Sequence, residues 1–218
     1  MKLLFGRPLL ICAFSSLLVA VLSFDVRAGS FLFSQSGIVD WEEKSFVGMT
    51  RYQLVEQDNK RVLSAKAMGT SSGLFNTSDI ILDETPLLNW RWKVSRIGSG
   101  NDEKTKSGDD YPVRLYVIVS GGLQFWKSYS LVYVWSNSAK LNESWDNPYT
   151  SNVKHIAVET GTHNVGKWRS YQRNVKADFA QVFGVKPKKI KAVAIMTDSD
   201  NSGQNFESWY GDIQFNQG

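Results

Sequence analysis

The sequence predicts a mostly β protein: a two-sheet antiparallel sandwich of the jelly-roll kind, with one short amphipathic helix near 175–183. Three observations point there. Apolar residues alternate along segment after segment, the period of a strand with one buried face. Turn residues separate these segments at short intervals. The strand–helix–strand rhythm of a parallel sheet is missing.

The chain opens on a leader. Lys2 and Arg7 flank an uncharged run from Leu9 to Phe24, and Val26 and Ala28 are small residues placed as at a signal-peptidase site. The run is shorter than the roughly 20 residues of a membrane span. We therefore expect residues 1–28 to be removed and 29–218 to form one soluble domain, exported to the periplasm or cell surface. Removal takes Lys2, Arg7, Arg27 and Asp25 from totals of 25 basic and 21 acidic residues, leaving 22 and 20 and a net charge of +2. So small a charge gives no footprint for nucleic acid. The single cysteine, Cys12, leaves with the leader, so the domain must fold on its apolar core alone.

Short strands are expected near 38–47, 50–57, 61–68 and 78–82. Leu88, Trp90, Trp92 and Val94 share one strand face, with Arg91 and Lys93 opposite. Val113, Leu115, Val117 and Val119 repeat the pattern, leaving Arg114 and Tyr116 on the outer face; Tyr129, Leu131, Tyr133 and Trp135 form the next strand, and 153–159 another. Asn174 can cap a helix whose Val175, Phe179, Val182 and Phe183 lie on one side, and Gly184 stops it. Residues 190–196 are apolar on both faces, as in a buried central strand, and a last strand covers about 208–215.

Two connections, 95–110 and 136–152, exceed what a hairpin needs. Antiparallel succession of the flanking strands puts both at one end of the sandwich, and Glu159, Asp198 and Asp200 at the other. Loops on a rigid scaffold commonly carry function, so Asp109, Asp110, Trp145 and Tyr149, with Arg114, form the candidate binding end. Trp126 sits in a turn beside Gln124 and Lys127 and is a further candidate. Flat rings beside polar donors suit a sugar face; loop aromatics that pin the loop down are the competing reading.

Other motifs are weaker. Asp198-Ser199-Asp200-Asn201-Ser202-Gly203 matches the first half of a calcium loop, but Trp209 stands where the bidentate Glu belongs. A structural calcium held by Asp198, Asp200 and Asp212 is one reading, and an Asx-rich turn satisfying its own backbone the other. Gly69-Thr70-Ser71-Ser72-Gly73 matches a nucleophile elbow in letters only, since strand-like segments flank it on both sides. With His155 and His163 the only histidines, neither a serine triad nor a zinc site is indicated.

Leu88-Asn89-Trp90-Arg91-Trp92-Lys93-Val94, Gly108-Asp109-Asp110-Tyr111 leading into Arg114-Leu115-Tyr116-Val117, and Tyr133-Val134-Trp135 form an ordered series. It continues with Asn147-Pro148-Tyr149-Thr150, Arg173-Asn174-Val175, Met196-Thr197-Asp198-Ser199-Asp200-Asn201 and Tyr210-Gly211-Asp212-Ile213. The series resembles the bacterial exported family known as domain of unknown function 3047. The resemblance implies an envelope protein with a β-rich fold similar to galactose-binding-like jelly rolls, and it implies no particular activity. The leading expectation is a non-catalytic module that binds a glycan or envelope polymer. A polysaccharide hydrolase or lyase, and a structural protein binding a protein partner, are the alternatives.

Overall fold

A computed structural model describes residues 29–119 and 128–218. The expected leader and Trp126 lie outside the described residues. In chain order the strands are β1 (Ser30–Phe31), β2 (Glu42–Val47), β3 (Arg51–Gln57), β4 (Lys60–Met68) and β5 (Ser71–Ile81). Then come β6 (Leu87–Val94), β7 (Arg114–Val119), β8 (Tyr129–Ser136), β9 (Ser144–Asn147) and β10 (Thr150–Thr160). After β11 (Arg169–Asn174) runs the helix α1 (Val175–Phe183), followed by β12 (Lys189–Asp198), β13 (Asn205–Tyr210) and β14 (Ile213–Asn216). Among the described residues no helix is long and apolar enough to cross a membrane.

The strands form two seven-stranded sheets. In the first, β6 lies between β11 on one edge and β13 with β14 on the other; β4 and β3 extend it beyond β13, and β1 beyond β14. The second has the order β2-β5-β12-β7-β8-β10-β9. The alternating residues of β6 turn inward and meet the inner face of the second sheet, where the Trp90 ring lies 5.1 Å from Tyr133. Such aromatic contacts add about 0.5–1.5 kcal/mol each beyond the area they bury.

Local signals hold where they were strong. The Asn174 side chain accepts the Ala177 N–H at 3.0 Å, and Gly184, at φ 69°, donates its N–H to Ala180 O and ends the helix. Val175 and Phe179 seat the helix on the core. The single last strand expected over 208–215 is split into β13 and β14: Tyr210 pairs with Trp92 but Gln214 with Asn89, so one extra residue is accommodated at Gly211-Asp212 between them. A Cβ on Gly211 would come within 2.6 Å of the Arg91 side chain, which explains the glycine.

One register departs from expectation and moves the site. β8 and β10 are parallel, because the short strand β9 forms between them and pairs with β10 instead. The unseen strand upsets the parity assumed from the sequence. Glu159 therefore sits beside Trp135 at the end of β8, not at the far end. The turn after β10 closes there too, with Gly161 N–H donating to Ser136 O. β12 runs antiparallel to β7, pairing Met196 with Arg114, so Asp198 and Asp200 arrive where the 95–113 loop enters β7.

Candidate active face on the second sheet

The outer face of the second sheet is built from alternate residues of its central strands. Across β12, β7, β8, β10 and β9 one row reads Ala194, Tyr116, Val132, His155, Trp145. The loop 95–113 folds over part of this face. Buried Glu103 ties it down, accepting the Ser136 hydroxyl and the Asn137 N–H, while Asn101 Nδ2 donates to Gly108 O at 2.8 Å. Gly108 passes so close to Asp102 that a Cβ there would lie 2.2 Å from its carbonyl oxygen. The loop thus brings Tyr111 down onto Val132 and Val134, a small second core.

Beside that covered patch the face opens into a pocket of about 400 Å3. Asp109, Arg114, Asn147, Asp198, Asp200 and Asn201 give it polar groups, and Tyr116, Tyr149, Phe46 and Met196 give it apolar surface. Arg114, 2% exposed, organises the floor. Its Nε donates to Asp198 Oδ1 at 2.9 Å, its Nη2 reaches Asp198 Oδ2 and the Asp109 carbonyl, and its Nη1 stands 3.3 Å from Asp109 Oδ1. The guanidinium also lies 4.4 Å from the centre of the Tyr111 ring. Burial pushes the Asp198 carboxyl up to about 7, with Arg114 pulling the other way and Asp109 and Asp110 adding to the rise. Burial likewise raises Asp109.

The expected site residues divide. Asp109, Arg114 and Tyr149 line the pocket; Tyr149 is 58% exposed, and its hydroxyl donates to Lys106 O at 3.3 Å. Asp110 stands behind them, accepting the Asn201 N–H at 3.2 Å and the Ser202 N–H at 2.5 Å. Trp145 is not among the lining residues. It stacks on His155 at 5.5 Å, and Tyr111 stacks on the same imidazole at 5.2 Å. Its ring holds the edge strand to the sheet, the pinning role weighed against sugar contact. Tyr116, Asn147, Asn201, Phe46 and Met196 were not singled out as ligand contacts. Strand alternation alone already put Tyr116 on the face of Arg114; the others needed the packed structure.

The turn at 198–203 does not assemble the expected set. Asp212 lies at the bulge of the first sheet, where its carboxylate accepts the Ser34 N–H at 2.9 Å and its hydroxyl at 2.6 Å. Asp110 joins Asp198 and Asp200 instead, one oxygen from each lying within 4.8 Å of the others. Calcium takes six to eight oxygen ligands. Here Arg114 occupies Asp198, and turn amides occupy Asp110, leaving Asp200 Oδ1 as the buried oxygen of the cluster without a hydrogen-bond partner. These residues fit a closed ion network better than a calcium cage.

Of the acids a hydrolase would need, Asp109 and Asp200 line the pocket beside Asp198. Asp198 has both oxygens engaged by the guanidinium, and Glu159 is occupied by Arg169 and by the Tyr171 hydroxyl at 3.0 Å, away from the pocket. His155 is fully buried, and burial holds its imidazole well below the usual histidine range, with Arg114 adding to the effect.

Among solved structures, the glycoside hydrolase domain of Endo-D from Streptococcus pneumoniae R6 shares 10% identity at a TM-score of 0.42. That match covers 81% of this chain and 21% of the other. A structure of carbohydrate-binding modules from the β-sandwich superfamily shares 12% at 0.44, covering 86% and 61%. A cellulase derived from Cel12A of Rhodothermus marinus shares 9% at 0.47, covering 80% and 97%. This chain thus spans less than two thirds of the first two. Likeness at this level concerns the sandwich outline alone. No curated protein matches the sequence. The model of the family described as protein of unknown function DUF3047 matches residues 39–214, and the chain belongs to that family.

Proposed function

We propose that this protein is an exported, non-catalytic module that binds a glycan in the pocket on the outer face of its second sheet. The observation that carries the reading is the pocket's mixed lining: an exposed Tyr149 ring above carboxylates, amides and a buried guanidinium. Sugar rings offer apolar faces for stacking and hydroxyls that donate to carboxylate and amide oxygens. The lining sets Asp109, Asp198 and Asp200 against one cation, Arg114, so a neutral sugar suits it better than an anionic one. The expected leader, with its basic flank, apolar run and small-residue cleavage site, supports export to the periplasm or cell surface.

The test is a melting-temperature screen of residues 29–218 against soluble glucan, mannan and N-acetylglucosamine oligosaccharides. A ligand at about 100 times its dissociation constant adds about 2.7 kcal/mol, a shift of roughly 5–10 °C for a domain of this size. The shift is expected to vanish in Tyr149→Ala and Asn147→Ala while their unliganded melting temperatures stay near wild type. A shift retained in both variants would put the sugar elsewhere. Cleavage of the oligosaccharide that is lost in Asp200→Asn would replace the binding reading with the hydrolase one.

A further inference from the structure

The opposite side of the molecule carries a second surface. On the outer face of the first sheet, Lys93 of β6 stands directly across from Trp209 of β13. Trp168, just before β11, flanks it on the other edge, since β11 pairs Arg169 with Trp92. The ammonium of Lys93 lies 4.7 Å from the centre of the Trp209 ring and 5.4 Å from that of Trp168. Arg91, two residues back on the same face, covers Trp168 at 4.5 Å. Two indoles thus flank one cation in a single row. They are two strand spacings apart, about 10 Å, the reach of a disaccharide.

The charges on this face are unbalanced. Among the described residues, neither Arg91 nor Lys93 pairs with a carboxylate; Lys93 donates to the Gln57 amide oxygen instead. Arg51 and Lys66 are register partners farther along the same face, and Lys66 pairs with Glu207. Asp58 takes the Trp168 Nε1–H at 3.0 Å. Gly211 allows Arg91 to lie flat against the sheet, because any side chain there would strike it. The face is therefore a shaped, cationic and aromatic strip, opposite in sign to the pocket lining.

We infer that this strip binds an anionic polysaccharide, with its ring carboxylates at Lys93 and Arg91 and its sugar rings along the parts of Trp168 and Trp209 that those cations leave uncovered. A lipid surface fits less well, because both indoles are partly buried among the cations rather than projecting to insert. The inference does not depend on the pocket.

The experiment is affinity electrophoresis of residues 29–218 in gels containing polygalacturonate or neutral dextran. Microscale binding to anionic phosphatidylglycerol vesicles and single-stranded DNA runs alongside. Polygalacturonate is expected to retard the protein, less so as salt rises, and dextran is not. Lys93→Gln and Trp209→Ala should each weaken that binding about tenfold, while Tyr149→Ala leaves it intact. Arg91→Gln should do the same; because Arg91 packs on Gly211, Lys93→Gln with an unchanged melting temperature is the deciding variant. Equal retardation by dextran, equal affinity for vesicles or DNA, no retardation at low salt, or full affinity in Lys93→Gln would each overturn the inference.

Discussion

Replacing Arg114 with Gln removes the cation from the floor of the pocket and leaves two buried acids behind. Asp198 and Arg114 are each 2% exposed and Asp109 is 6% exposed, so water cannot take over the lost contacts without opening the loop. Breaking a buried pair by removing one partner costs about 3–5 kcal/mol, which for this size lowers the melting temperature by roughly 6–20 °C. The loss should depend on pH in a definite direction. Asp198 already has a raised carboxyl in the folded protein. A group whose folded pKa exceeds its unfolded value binds its proton more tightly when folded. Stability therefore falls as pH rises from about 4 toward the folded value near 7. Without the guanidinium the folded value climbs further, so Arg114→Gln should be penalised more at pH 8 than at pH 4.5. Adding Asp198→Asn should recover much of the loss at pH 8. The assay is thermal denaturation of the wild type and the single and double variants at both pH values. A penalty below about 1 kcal/mol, far short of the range for buried pairs, would refute the reasoning; so would one equal at both pH values, or a double variant no better than the single.

Three further outcomes follow from the same geometry. Trp145→Ala should lower the melting temperature by removing the ring that stacks on His155, at a cost of about 2–3 kcal/mol, below the 3–5 of a fully buried tryptophan, while ligand binding at Tyr149 survives in the folded fraction; calorimetry separates the two effects. Gly108→Ala should loosen the 95–113 loop, since its Cβ would meet Asp102 O at 2.2 Å, and faster amide exchange at Tyr111 would report it. The His155 imidazole should stay neutral well below pH 6.5 in an NMR titration, because burial disfavours its charged form; its contribution to stability is lost as pH falls below the unfolded value. A midpoint near 6.5 would show that the imidazole packed on Tyr111 and Trp145 is open to water.

Elements whose signals are local were legible in the residues alone. Alternation in Leu88–Val94 and Val113–Val119 fixed which residues face inward, because a strand has a period of two whatever its neighbours. Asn174 and Gly184 fixed the helix ends, because a side-chain cap and a left-handed stop act within one turn. The same alternation put Arg114 and Tyr116 on one outer face. Everything that depends on which strands are neighbours came from the packed sheets. Ser144–Asn147 is four residues long and pairs only because β10 presents it an edge, so nothing local announced it. That one strand reversed the assumed parity between β8 and β10. Register between β12 and β7, not any motif at 198–203, brought Asp198 to Arg114 and left Asp212 with Ser34. Trp145 and Tyr149 lie four residues apart in sequence, yet one packs on a buried imidazole and the other stays exposed. Their roles differ because β9 sets Trp145 beside His155 on the outer face, whereas Tyr149 sits in the turn beyond it, and only the folded chain makes that distinction.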